Sequence, residues 1–303
     1  MTVGVPTLSI VIASFKPGPA ISECLGALEV QDRTGVEVLL VDGSADGTVE
    51  AVRARFPWVQ IVAAGAAHSL PRLRGLGMAS ATAPVVGVLD AWCIVNSNWI
   101  AEVQRIHQAR PELAVGGGVD LAPVERNSPR AWATYLFDYW EFVAPFPEGF
   151  VGVLPGNNIT YKRSALPDPE TLRTRGFWKA FTNAQLKHSG NLLVASDGLR
   201  VQLRRRTPLS KFIRSRFHHG RSYAAMRVEE SGRMARCGFA LLTPGLPLLF
   251  VFRQARGLAA KPAVWAWFVL CFPALVAFHL SWSFGELCGY LLGPGRSHEA
   301  IRS

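Results

Sequence analysis

Charge is scarce in this 303-residue chain: Asp, Glu, Lys and Arg make up 18%, against 49% hydrophobic residues. So low a charge, with so much apolar surface to bury, argues against a disordered chain and for a globular one with some membrane contact. Cysteine is scarce as well. Cys24, Cys93, Cys237, Cys271 and Cys288 form no C-x-x-C pair and no zinc spacing, and an odd number cannot close fully into intrachain disulfides. They read as reduced, cytosolic thiols, which excludes a disulfide-stapled secreted domain. Internal repeats and low-complexity tracts are absent. The first apolar run, Leu8 to Ala13, is too short for a signal-peptide core and has no basic region before it. It reads as a first strand.

What is abundant is positive charge in one place. The formal net charge is +10, yet Leu199 to Lys261 alone holds 14 Lys or Arg against Glu229 and Glu230, so the rest of the chain nets to about minus two. A block of this kind suits phosphate groups, whether of anionic lipid or of a phosphorylated substrate. Nucleic acid is set aside as a partner, because the block leads into apolar stretches and not into an RNA- or DNA-binding motif. Cys237 to Phe252 holds 16 uncharged residues but is broken by Pro244, Gly245 and Pro247, which suits an interfacial or re-entrant segment. Pro262 to Gly285 holds 24, with Pro273 and His279 inside. As a helix it would measure about 36 Å, enough to cross a hydrocarbon core of roughly 30 Å. The alternative is a buried amphipathic hairpin in the soluble domain; if the segment spans the membrane or lies on it, the basic block before it predicts a cytoplasmic amino-terminal side.

The first ninety residues alternate. Strands are predicted at Leu8–Ala13, Val36–Val41, Val59–Ala63 and Val85–Leu89, with helices at Ala20–Val30, Thr48–Phe56 and Ser69–Ala81 between them. That order implies βαβ crossovers and a mostly parallel, doubly wound α/β sheet, with ligands beyond the carboxyl ends of the strands. After about Pro111 the pattern becomes irregular, as in a region that builds a site. The predicted organisation is a domain over residues 1–205 and a basic linker with an apolar helical, membrane-associated region over 206–303.

The turn after the second strand, Val41-Asp42-Gly43-Ser44-Ala45-Asp46-Gly47-Thr48, resembles the V-D-x-S-x-D-x-T turn of family 2 glycosyltransferases of the GT-A type. Asp42 at the strand end can accept a hydrogen bond from a base or ribose, Gly43 lets the chain turn closely, and Asp46 is placed to cap the next helix. The first turn, Ala13-Ser14-Phe15-Lys16-Pro17, departs from the family's aromatic-Asn, leaving Ser14 to line the nucleotide pocket or to end a strand. Arg72-Leu73-Arg74-Gly75 looks like the segment before the metal motif, so Arg72 or Arg74 meets the diphosphate or is a solvated helix charge. Where the family carries D-x-D, this chain has Asp90-Ala91-Trp92, one carboxylate of two, with Trp92 free to stack on a sugar or base. Gly156-Asn157-Asn158 resembles the acceptor-side G-x-N turn. The helix that should carry an acidic base, Gly176 to Leu186, has none; Lys179 stands there, either facing solvent or meeting the diphosphate, and Asp168, Glu170 and Asp197 are off the expected spacing. Arg216-Phe217-His218-His219-Gly220-Arg221 is similar to a motif of the family's bacterial membrane-associated branch.

The resemblance implies a GT-A fold, a nucleotide-sugar donor, Mg²⁺ or Mn²⁺, and inverting transfer to a lipid-linked or cell-envelope polysaccharide acceptor at the cytoplasmic face of the inner membrane. It assigns Ser14, Asp42, Arg74, Asp90 and Arg221 to the nucleotide-sugar, Gly156, Asn157 and Asn158 to the acceptor, and Asp90 to the metal. The halved metal motif and absent base keep a second reading open: a non-catalytic relative that binds nucleotide-sugar or scaffolds envelope polysaccharide assembly.

Overall fold

The computed structural model describes residues 5–65 and 69–301. The chain divides into two compact units, one of residues up to Ala122 with Phe142–Arg204, the other of Pro123–Glu141 with the chain from Arg205 onward. Residues 123–141, which the sequence reading leaves in the first domain, thus group with the C-terminal segment.

The first unit starts β1 (Leu8–Ser14), α1 (Ala20–Glu29), β2 (Val36–Asp42), α2 (Thr48–Arg55), β3 (Gln60–Ile61), α3 (Leu70–Ser80) and β4 (Val85–Asp90). It continues with β5 (Cys93–Val95), α4 (Trp99–Ala109) and β6 (Ala114–Leu121). After α5 (Pro129–Tyr139), which belongs to the second unit, come β7 (Gly149–Val151), β8 (Asn158–Lys162), α6 (Pro169–Arg175), α7 (Lys179–His188) and β9 (Leu193–Leu203). The predicted alternation holds through β4. Only β3 is much shorter than expected, because it is the sheet edge and pairs with β2 alone.

Among the described residues nine strands form one sheet in the order β3-β2-β1-β4-β8-β6-β9-β5, with β7 beside β9. The first four are parallel. Every residue of β1 is buried, as a strand covered on both faces requires, which is why its sequence is a continuous apolar run and not an alternation. β8 enters antiparallel between β4 and β6 and makes the sheet mixed. The register places Ser14 beside Asp42, Ala13 beside Asp90, and Leu89 opposite Asn158. Three strand ends and the turn into β8 therefore meet along one edge of the sheet.

Beneath the sheet, His107 of α4 is a buried neutral base. Thr160 donates its hydroxyl proton to the Val115 carbonyl at 3.1 Å, so the 2.7 Å contact to His107 Nε2 is one in which the ring donates. Burial, aided by the charge of Lys162, pushes the imidazole down to about 4. The folded state then binds fewer protons than the unfolded chain between roughly pH 4 and 6.5, so stability falls as pH drops through that window, by up to about 3 kcal/mol. Urea melts at pH 7 and 4.5 are expected to show this loss in the wild type and a shallower slope in His107→Gln.

The second unit holds α5, α8 (Leu209–Arg227), α9 (Arg233–Leu242), α10 (Leu246–Leu258), α11 (Pro262–Leu292) and α12 (Ser297–Ala300). The expected break at Pro244 is a single 3-10 turn over Thr243–Gly245, after which the helix resumes. Proline in a first turn gives up only an N–H that has no partner there. α8 and α11 cross backbone to backbone: a Cβ at Gly220 would lie 2.3 Å from the Trp282 carbonyl, and one at Gly285 2.2 Å from that of Phe217. Glycine is what lets them meet.

α11 is apolar on both faces. Its inward face buries Val264, Phe268, Leu275 and Phe278 together with His279, near Gln254, and Glu286, which accepts from Trp282 Nε1 and the Tyr290 hydroxyl. Leu270, Phe284 and Leu291 are exposed outside, as are Met234, Leu241, Leu248 and Phe252 on α9 and α10. Among the described residues two helical stretches, Arg233–Leu258 and Pro262–Leu292, are long and apolar enough to cross a membrane by length and composition.

Candidate functional site

The turn after β2 is built by its own side chains. Asp42 Oδ1 accepts from the Ser44 amide at 2.9 Å and from the Ser44 hydroxyl, closing an Asx turn, while Gly43 N–H donates to the Ser14 carbonyl at 3.0 Å and ties this turn to the first. Asp46 accepts from the Thr48 amide and hydroxyl at 3.2 and 2.6 Å and so secures the first turn of α2, as its position in the motif suggests. With Oδ1 engaged, Asp42 Oδ2 is left buried with no partner among the described residues, and so is Ser14 Oγ on the neighbouring strand. An unpaired buried acceptor costs roughly 1–3 kcal/mol. A ligand N–H or O–H brought to Asp42 removes that cost.

Along the same edge, Arg74 of α3 reaches Asp90 with Nε at 3.2 Å and Nη2 at 2.6 Å, both to Oδ1. The two side chains are only 17% and 6% exposed, so little water screens the pair. Arg72, the alternative, donates to the Thr174 carbonyl at 2.7 Å and is spent on the α3–α6 contact. Asn157 gives its amide to the Cys93 sulfur at 3.2 Å, and its Oδ1 is a third buried acceptor without a partner among the described residues.

Other expected residues do structural work. Asn158 accepts from Trp99 Nε1 at 2.9 Å and donates to the carbonyls of Gly118 and Leu199 at 3.0 and 2.8 Å. Its amide locks β6, β8 and β9 together, and no polar capacity is visible for an acceptor sugar. A Cβ added at Gly156 would meet the Lys179 stem at an ordinary 3.5 Å, so packing does not demand a glycine there. Lys179 is half-buried, not a solvated surface charge: Nζ donates to the Leu154 carbonyl at 2.9 Å and holds the turn that carries Asn157. Asp168 caps α6 through the Thr171 amide, and Asp197 is paired with Arg200. Arg221 belongs to the second unit, where its Nε donates to the Gly293 carbonyl at 2.8 Å beyond the end of α11. Cys24 and Cys93 were missed as neighbours of Asp90, since neither carries a spacing signal. The Cys24 thiol lies 3.8 Å from the Asp90 carbonyl.

The donor set does not fit a divalent cation. A single carboxylate can hold octahedral Mg²⁺ or Mn²⁺ when substrate phosphate oxygens and water complete the shell, provided that carboxylate is free to bind. At the β4 end the chain offers one carboxylate, and Arg74 already holds it. Trp92 stands two residues on, and burial, with the Asp90 charge adding to it, pushes the Cys93 thiol up to about 12, so no thiolate is present at neutral pH. Asp42 stands apart from it, with Oδ1 engaged by Ser44. Its strand and that of Asp90 flank β1, which puts the two backbones about 9.5 Å apart. Among the described residues no group of three His, Cys, Asp or Glu converges.

Comparison with known proteins bears on this edge. The family model described as Glycosyl transferase family 2 matches residues 9–168, more than half of the chain, from β1 to the loop before α6. No curated protein matches the sequence. Two solved structures are similar over nearly the full length. One is a mannosyltransferase of Pyrobaculum calidifontis in complex with GDP-Man and Mn²⁺, at 19% identity and a TM-score of 0.53, covering 91% of this chain and 86% of that one. The other is residues 1–349 of S. aureus TarS in complex with UDP-GlcNAc, at 14% identity and 0.51, covering 93% and 91%. Identities this low carry the fold alone.

Proposed function

The chain belongs to glycosyl transferase family 2 and has the GT-A fold, and from that premise we propose that it transfers a sugar, with inversion, from a nucleotide-diphosphate donor to a lipid-linked or cell-envelope polysaccharide acceptor. The observation that carries this reading is a pair of buried polar atoms without a partner among the described residues, Asp42 Oδ2 and Ser14 Oγ, on neighbouring residues at the carboxyl ends of two parallel strands. A nucleoside offers hydroxyl and ring N–H donors to such a carboxylate. Arg74, held by Asp90, lies where the diphosphate follows, and Asn157 Oδ1 is the acceptor-side group with capacity to spare. That GDP-Man and UDP-GlcNAc occupy two proteins of this fold is consistent with a donor of that class.

The apolar outer face of α9 to α11 supports a membrane location, since a helix that is apolar on its exposed face as well as its buried one is stable in a bilayer and not in water. Arg253, Arg256 and Lys261, beside the apolar faces of α10 and α11, favour the anionic cytoplasmic leaflet of the inner membrane.

One observation favours the second reading, a binder that does not turn over: Asp168 and Asp197 are both engaged, and Lys179 is tied to a carbonyl. Titration of the purified full chain with UDP-, GDP- and dTDP-sugars, followed by radiolabel transfer into membrane lipid, separates the two. Label in the lipid fraction supports transfer; binding without label supports the scaffold. The absence of any binding overturns both.

A further inference from the structure

The disagreement between the donor set and a divalent cation has a positive side, carried by Arg74. An ion at the end of β4 would serve to offset the diphosphate's negative charge. In this chain a guanidinium already sits there. Arg74 projects from α3 toward the end of β4, and Asp90 fixes it by two N–H groups to one oxygen, at 2.6 and 3.2 Å, with both side chains largely withdrawn from water. Two residues after Asp90 a buried indole, Trp92, stands in place of a second oxygen donor. A carboxylate beside a buried guanidinium is also a poor cation ligand, because its charge is neutralised before the ion arrives. A guanidinium has five N–H donors in a planar fork and can hold a carboxylate along one edge while meeting phosphate oxygens along another.

We propose that this site binds its nucleoside diphosphate without a divalent cation, with Arg74 as the cation at the diphosphate and Asp90 as the positioning residue that orients it. The proposal rests on the donor-binding reading above and assigns Asp90 a role other than metal ligand.

The test is calorimetric titration of the full chain with UDP, GDP and dTDP, each in EDTA and in excess MnCl₂. For whichever nucleotide binds, the dissociation constants in the two media are expected to agree within about twofold, and Arg74→Gln to weaken binding about tenfold or more in both, the worth of one charge-assisted contact. Asp90→Asn is expected to weaken binding equally in EDTA and in Mn²⁺, because it loosens Arg74 in either medium. Tightening of tenfold or more by Mn²⁺, abolished in Asp90→Asn, overturns the proposal while leaving nucleotide binding intact. No binding in either medium overturns the donor-binding reading and the proposal with it. The EDTA and MnCl₂ comparison needs only the wild type, so a variant that fails to fold does not remove the test. A thermal melt of each variant identifies such a failure.

Discussion

Asp42→Asn is expected to weaken nucleotide binding by about 100-fold with no loss of thermal stability. The asymmetry follows from the two oxygens of one carboxylate. Oδ1 builds the turn by accepting from the Ser44 amide and hydroxyl, and an asparagine carbonyl oxygen can take over that work. Oδ2 has no partner among the described residues and is buried. In the variant its place is taken by an NH₂ group, a donor facing the position where the ligand's own donor must sit. Loss of a charge-assisted hydrogen bond costs about 1.5–3 kcal/mol, and the donor-to-donor clash adds to it. The folded protein without ligand is relieved of a buried carboxylate oxygen that has no hydrogen-bond partner among the described residues, so its melting temperature is expected to hold or rise. Titration calorimetry and a thermal melt on the same preparation check both halves. If binding is unchanged, Oδ2 is not a nucleotide contact. A fall of the melting temperature in step with affinity shows that Asp42 serves the turn alone.

The parts of this site that were legible in the sequence are those whose chemistry is local. Asp42, Ser44 and Asp46 lie within five residues and bond to one another or to the adjacent backbone, so the motif and the structure carry the same information. Asn158 was not legible in that way. Its amide has the same appearance in sequence as that of Asn157, and only the pairing of β8 with β6, and of β6 with β9, brings Gly118 and Leu199 to it and consumes it. β6 itself was hidden by Gly116-Gly117-Gly118, a run that reads as a turn. A Cβ at Gly117 would come within 1.5 Å of the Leu199 carbonyl, so the glycine is there because β9 passes too close for any side chain.

The basic block was legible only in part, for the same reason. Carboxylates far off in sequence claim some of its amino-terminal charge: Glu23 pairs with Arg204, Asp120 with Arg200, and Glu125 with Arg206. Net charge by segment cannot register a partner 80 residues or more away. The acidic residues that made the rest of the chain slightly negative are, in part, the partners of the block.

The strongest case of this kind lies in the second unit and sets the largest stability effect. Asp138 of α5 stands alone among aromatics, and each of its oxygens takes one guanidinium: Oδ2 that of Arg205 at 2.7 Å, Oδ1 that of Arg216 at 2.6 Å. The arginine side chains are 5% and 4% exposed, and both lie against the Phe212 ring, at 5.3 and 4.5 Å from its centroid. Burial opposes ionisation of Asp138, yet the two arginines outweigh it and hold its carboxyl below the usual range. Asp138→Ala leaves two like charges buried side by side with no anion between them. Removal of one partner from a buried pair costs about 3–5 kcal/mol, a large share of the 5–15 kcal/mol that stabilises an ordinary domain. Denaturant unfolding in detergent is expected to show the second unit melting far below the wild type in Asp138→Ala. In the triple variant Asp138→Leu, Arg205→Met, Arg216→Met most of the loss should be recovered, because no charge then remains to be desolvated. Additive losses in the triple variant would mean that these side chains stabilise the unit by packing. Recovery would mean that what Asp138 contributes is the cancellation of charge that the sequence had placed on the surface.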